Sequence, residues 1–388
     1  MTLNLIPLST VVFSRAAISY RVNKLGNLVF RPNNIQRLDH DPFSLQPLGL
    51  LVEPARTNLI LRSEAFTNAV WAATAMTVTD NVFSSINATT SDAQLLETTA
   101  VSNHEVAQTG VTVAASTAYA FEVFAVPIGA RNIQLQVTFP GAVSCSATID
   151  LTTGAIIATS AAVAFAEQCL NGRWRVVMIA SSVGAGTATT RIRSYNGAVS
   201  FAGSVTAGLQ LFGAQFEAGD FASSYIPTLG VTQTRPADDG ILGITGAWNN
   251  LGSTLLVTGR YINGSGQGVA VRPILQVDDG TDLERIIFRN DGGRIGEALV
   301  VSGGVTLATL TGAAASSALF KAAIAVADRD FALCVNGGAV VTNTNFYPPY
   351  GMTRLLLGQS SGVFGGVQVN ARIITKRVTN AELIALTT

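Results

Sequence analysis

Residues 133–139 alternate strictly: Ile133, Leu135, Val137 and Phe139 are apolar, and Gln134, Gln136 and Thr138 between them are polar. In an extended strand a period of two sends successive side chains to opposite faces, so one face is buried and the other is wet or meets a partner. Similar short runs recur at residues 118–124, 174–179, 253–258, 285–288, 322–326 and 355–358, separated by turn residues and without a helical stripe. Short strands at this spacing predict an all-β chain of two-sheet sandwiches. Only 12% of residues are charged, against roughly a quarter in ordinary soluble proteins. The 37 glycines and the abundant Ala, Val, Thr and Ser suit close-packed strands and tight turns.

At 388 residues the chain exceeds one ordinary domain. The expected order is an N-terminal hairpin segment (1–55), two β-sandwich or jelly-roll domains (56–235 and 250–388) and a short C-terminal helix. Lys24-Leu-Gly-Asn27 is the first hairpin turn and Asn336-Gly-Gly338 a later one, because Asn and Gly accept the positive φ that tight turns need. Tyr225-Ile-Pro-Thr-Leu-Gly230 and Arg235-Pro-Ala-Asp-Asp-Gly240 read as a linker. Thr379-Asn-Ala-Glu382 is a capping box ahead of Leu383, Ile384 and Leu386, which predicts one helix with its apolar side on the last sandwich.

Lys plus Arg equals Asp plus Glu at 24 each, so no basic surplus argues for nucleic acid. A neutral, charge-poor surface favours association, and a homo-oligomer is expected; a monomer coated with Ser, Thr and Asn is the alternative. The start shows no secretory leader, and the most apolar stretch, residues 154–170, is too short and small-residued to span a bilayer. Synthesis in a cytoplasm without membrane insertion follows as the expectation. Cys145, Cys169 and Cys334 form neither a disulfide framework nor a metal spacing, and each reads as a core thiol.

Three stretches carry a resemblance. Phe13-Ser-Arg-Ala leads to Gly26-Asn-Leu-Val, then to Arg37-Leu-Asp-His-Asp-Pro42, then to Pro47-Leu-Gly-Leu-Leu-Val-Glu-Pro-Ala-Arg-Thr-Asn-Leu59. In this order they resemble the opening of a family of phage and prophage virion proteins. Gly213-Ala-Gln-Phe-Glu-Ala-Gly219, Ser223-Ser-Tyr-Ile-Pro-Thr228 and Thr234-Arg-Pro-Ala-Asp238 fit the close of a sandwich resembling carbohydrate-binding modules. The last domain is similar to concanavalin-like and laminin-G-like jelly rolls. The resemblance implies a location on the virion, in a tail fibre, tail tip or head spike, with other virion proteins as partners. Fibre-like proteins of this kind are often trimers, although no heptad repeat marks a coiled coil here.

Candidate site residues fall into two groups. Glu53, Arg56 and Asn58 form a polar cluster among Leu50, Leu51, Val52 and Leu59; the preferred reading is structural, an Arg56–Glu53 pair pinning the opening segment while Asn58 satisfies turn backbone. Sugars stack on exposed aromatic rings, which singles out Trp248 in the linker and Tyr347 and Tyr350 in Asn345-Phe-Tyr-Pro-Pro-Tyr-Gly351 as glycan contacts. Trp71 and Trp174 read as core. Asp278, Asp279 and Asp282 could offer oxygens to calcium, but a turn explains Asp278-Asp-Gly280 better. His40 and His104 belong to no recognisable triad, and Gly264-Ser-Gly-Gln-Gly268 lacks the lysine and helix of a phosphate loop. No catalytic residue, metal or cofactor is assigned.

Three functions compete. The first is a structural virion protein that also adheres to host-surface glycan. The second is an architectural decoration or adaptor without glycan affinity. The third is a polysaccharide depolymerase.

Overall fold

The computed structural model describes residues 12–88, 90–249, 251–262, 271–292, 295–314 and 319–388. Part of the opening segment, residues 1–11, and the glycine run at 264–268 lie outside the described residues.

The chain is all-β as expected, with one α-helix among the described residues, Asn380–Thr387. The central sandwich packs two antiparallel sheets. One runs Ile156–Ser160, Val143–Ile149, Asn132–Phe139, Gly186–Tyr195, Val101–Val113, Ser200–Ala202, with Ala72–Thr74 attached. The other runs Val163–Gln168, Trp174–Ser182, Thr117–Ile128, Gly208–Ala218, Ser91–Glu97, Met76–Ser84. Ile133, Leu135, Val137 and Phe139 all enter the core between them, as the alternation requires, beside Trp71 and Trp174. All three cysteines are buried and unpaired.

The last sandwich also packs two sheets, each of seven strands, and both recruit the opening segment. Val12–Ser14 pairs with Asp239–Gly243 at the border of one. Pro47–Val52 pairs with Val367–Ile374 in the other, and Leu38–His40 adds its final strand. Phe13, Leu50 and Val52 therefore sit in the same core as Leu255, Val257, Ile324 and Leu333. Residues 1–55, read above as a separate segment, thus contribute three strands to a sandwich whose remaining strands begin some 200 positions later. Gly49 makes this possible. Its φ is +107°, and a Cβ there would lie 2.6 Å from Asn370 Nδ2 and 2.7 Å from the Val369 carbonyl oxygen.

The stretch read as a linker forms strands, one in a separate two-stranded sheet and one in a sheet of the last sandwich. Gln233–Arg235 pairs with Arg56–Asn58, and Asp239–Gly243 pairs with Arg354–Leu357. Proline and glycine punctuate the chain here because it turns sharply between two sheets. The turns at Lys24–Asn27 and Asn336–Gly337 form as expected, the second with φ of 50° and 66°. Thr379 and Glu382 complete the capping box, and Leu383 is buried against Ala323, Ala325, Ala332 and Cys334.

A buried ionic cluster bolts these parts together. Arg37 Nη1 lies 2.6 Å from Glu53 Oε2, and its other amino group meets Asp238. Arg15 reaches Asp238 at 3.1 Å, and Arg235 reaches Glu53 at 3.4 Å. Glu53 also accepts hydrogen bonds from the Ser224 N–H and hydroxyl, both at 2.7 Å. This corrects the pairing expected for Glu53: its partners are Arg37 and Arg235, while Arg56 stacks on the Phe221 ring at 4.8 Å. Proximity in sequence suggested Arg56, but the strand from Arg56 to Asn58 carries that side chain toward Phe221 and Gly219. Asn58 satisfies backbone groups on four residues, donating to the Ala214 and Ile226 carbonyls and accepting from the Ile60 and Phe216 N–H groups.

Candidate functional site

The outer face of one sheet in the last sandwich is open over part of its area. Strand Ser253–Tyr261 turns Leu255 and Val257 into the core and Leu256 and Thr258 outward. Strand Val367–Ile374 likewise buries Val369 and Ile373 and presents Asn370 and Arg372. The C-terminal helix covers the neighbouring part of this face. Between the helix and the opening-segment strands lies a groove of about 800 Å³. Leu256, Thr258, Asn370 and Arg372 line it together with Leu38, His40 and Pro47 from the opening segment and Lys321 and Leu386 from the far side.

The groove is rich in donors. The Arg372 side chain is exposed, and among the described residues no carboxylate lies within ion-pair distance of it. Lys321 Nζ donates one hydrogen bond, to the Thr388 carbonyl oxygen at 2.7 Å, and keeps two further donors. Asp39, at the groove wall, is committed elsewhere: it accepts from the Val22 N–H at 2.7 Å and from Gln368 at 2.6 Å. Burial pushes its carboxyl up to about 6 despite those two hydrogen bonds. Such a surface, with exposed Leu38 beside amide, guanidinium and ammonium donors, suits a ligand that has an apolar face and many acceptor oxygens.

The three aromatic residues expected to touch sugar lie at one end of the last sandwich, in loops that follow Asp239–Gly243 and Val341–Asn343. Those loops are joined by a hydrogen bond from the Ile244 N–H to the Thr353 carbonyl. Tyr347 and Tyr350 are 51% and 61% exposed, and the Arg329 guanidinium lies 5.3 Å from the Tyr347 ring centre. Trp248 is half-buried and packs on the core, unlike the linker residue envisaged from sequence. Of the acidic trio, Asp278 is buried and paired with Arg354, Asp279 binds the Thr281 N–H and hydroxyl, and Asp282 is engaged by Arg285 and Ser361. These are turn and ion-pair roles.

The groove residues Thr258, Lys321, Asn370 and Arg372 were not singled out from sequence. Polar positions alternating with core positions along strands 253–261 and 367–374 were the available signal, but it marks any outward sheet face.

No family model and no curated protein matches the chain. Among solved structures, the chain is similar to the CBM40 of the Ruminococcus gnavus IT-sialidase bound to α2,3 sialyllactose, at 18% identity and TM-score 0.29 over 35% of this chain and 83% of that one. It is similar to domains LG4-5 of the mouse laminin α1 chain at 11% identity and TM-score 0.26, over 83% of this chain and 89% of that one. A third similar structure is a tail fiber protein from an E. coli phage, at 8% identity and TM-score 0.25, covering 84% of this chain and 42% of that one.

Proposed function

We propose that this protein is a non-enzymatic structural component of a bacteriophage or phage-like particle, assembled in the host bacterial cytoplasm and displayed on the virion, where it adheres to host-surface glycan. The observation that carries the adhesive part of this reading is the open groove of about 800 Å³ in which Arg372, Lys321 and Asn370 stand beside exposed Leu38. Pyranose rings present apolar faces and ring-edge oxygens, and this surface offers complements to both. Tyr347 and Tyr350 supply a second contact at the end of the sandwich. The virion assignment is supported by the motif resemblance of residues 13–59 and 213–238.

The test is titration calorimetry and glycan-array binding with purified polysaccharides from the host surface, combined with immunogold labelling of intact particles. Saccharide binding that Arg372→Ala weakens, together with labelled particles, supports the reading. Labelled particles with blank arrays point to an architectural adaptor. New reducing ends generated from capsule point to a depolymerase. Unlabelled particles remove the virion role altogether.

A further inference from the structure

The border of the central sandwich formed by residues 155–163 has no role in the reading above. The chain carries no charged residue between Asp150 and Glu167. Among the described residues, strand Ile156–Ser160 is the last of its sheet, pairing with Val143–Ile149 on one side only, and all five of its residues are exposed. The chain then turns at Ala161, whose φ is 49°, and continues as Val163–Gln168, the last strand of the opposite sheet. Both sheets therefore end at the same border. Ile156, Ile157 and Val163 are 41%, 48% and 52% exposed, and the residues between them are small and uncharged. Ile157 is the extra residue between the pairs Ile149–Ile156 and Thr148–Ala158. Such a bulge re-aims side chains, which accounts for two consecutive isoleucines both reaching solvent.

Edge strands in solitary proteins are blunted by charge, proline, bulges or strong twist, because an open row of N–H and C=O groups recruits other strands. The opposite border of this sandwich follows that rule. Strand Met76–Ser84 carries Asp80, a register break between Thr79 and Phe83, and Asn81 at φ 62°. The border at 155–163 shares the register break, at Ile157, but lacks the charge: apolar and small uncharged side chains stand where a charge would protect it.

We propose that a second copy of this chain docks there, border to border, with the two Ile156–Ser160 strands antiparallel about a twofold axis. Charge favours a copy over another partner. The patch is uncharged, so its copy meets it without desolvating or opposing any charge, and the whole chain is neutral with 24 positive and 24 negative residues. An open strand also needs an open strand opposite it, and the twofold supplies one of the same length and composition. The inference does not depend on glycan binding, since the groove lies in the other sandwich.

Sedimentation equilibrium of the full chain tests it. The expected result is a dimer of the 40.3 kDa chain that Ile157→Lys converts to monomer, with dissociation at least 100-fold easier and an unchanged thermal transition. Leu229→Lys, at a site 82% exposed elsewhere, leaves the dimer intact. As a second readout, Ala158→Cys forms an intermolecular disulfide on mild oxidation, which the buried native cysteines do not. A monomer at all concentrations overturns the proposal, even if the border then binds another protein. So does any oligomer that Ile157→Lys leaves unchanged.

Discussion

Arg37 and Glu53 form a fully buried ion pair, 2.6 Å between Nη1 and Oε2, that joins the opening segment to the start of the central sandwich. The same carboxylate binds Ser224, and the same guanidinium binds Asp238 from the chain's passage into the last sandwich. Burying three guanidinium groups and two carboxylates is costly, and the cluster repays this only while each charge keeps its partners.

Removing one partner strands the others. Glu53→Ala is expected to cost about 3–5 kcal/mol, because three buried guanidinium groups, Arg15, Arg37 and Arg235, are then left to share one carboxylate, Asp238. Arg56→Ala should cost less, about 1–2 kcal/mol: it removes the ring contact with Phe221 and the charge that faces buried Glu217, whose hydrogen bonds from the Ser223 N–H and hydroxyl remain. Urea unfolding of the two variants measures the difference. Equal losses would restore an Arg56–Glu53 partnership.

Acid should loosen this cluster. Burial opposes ionisation of Glu53, but Arg235, Arg37 and Ser224 outweigh it and draw the carboxyl to about 2. A carboxyl held below its ordinary value stabilises the fold above about 4.5, and that contribution disappears as pH falls toward 2. The loss amounts to about 3 kcal/mol across this window. Stability measured from pH 4 down to pH 2.5, below the window in which Asp39 titrates, should fall, and Glu53→Gln should fall less steeply from a lower start.

Asp39 works in the opposite direction. Its carboxyl is pushed up to about 6 by burial, so the folded state binds a proton that the unfolded chain has released. Its contribution is fully present below about 4 and disappears as pH rises through 6, a change of about 3 kcal/mol. Asp39→Asn retains an acceptor for Val22 or Gln368 and should flatten stability between pH 4 and 7. A variant that keeps the parental slope there would refute the assignment.

Binding and folding should separate at the aromatic residues. Arg372→Ala and Lys321→Ala are expected to weaken polysaccharide binding about tenfold each, the loss of one charge-assisted contact of about 1.4 kcal/mol, without moving the thermal transition. Tyr350→Ala should likewise leave stability unchanged. Trp248→Ala should destabilise by about 2 kcal/mol, because its ring packs on the core. Calorimetric titration beside thermal melts distinguishes the two outcomes.

Local rules carried much of the architecture. The alternation at 133–139 placed four side chains in the core, Asn336-Gly marked a hairpin, and Thr379 with Glu382 announced the helix, each through a preference acting within a few residues. Exposure of Tyr347 and Tyr350 was legible too, because Pro348, Pro349 and Gly351 hold that segment out of regular pairing. The packing of Trp248 on the core was not legible, because a turn-rich setting says nothing about which core lies beneath it.

The chain alone determined strand identity, turn chemistry and which face of each strand is apolar, since these depend on neighbours along the backbone. Only the tertiary structure decided that Pro47–Val52 belongs to the last sandwich, that Arg37 meets Asp238 201 positions away, and that Arg372 stands beside Lys321 and His40 on one groove. Strand pairing is non-directional in sequence: any extended segment can bond to any other. The choice among partners is therefore settled by how complete cores close and how buried charges find their counterparts.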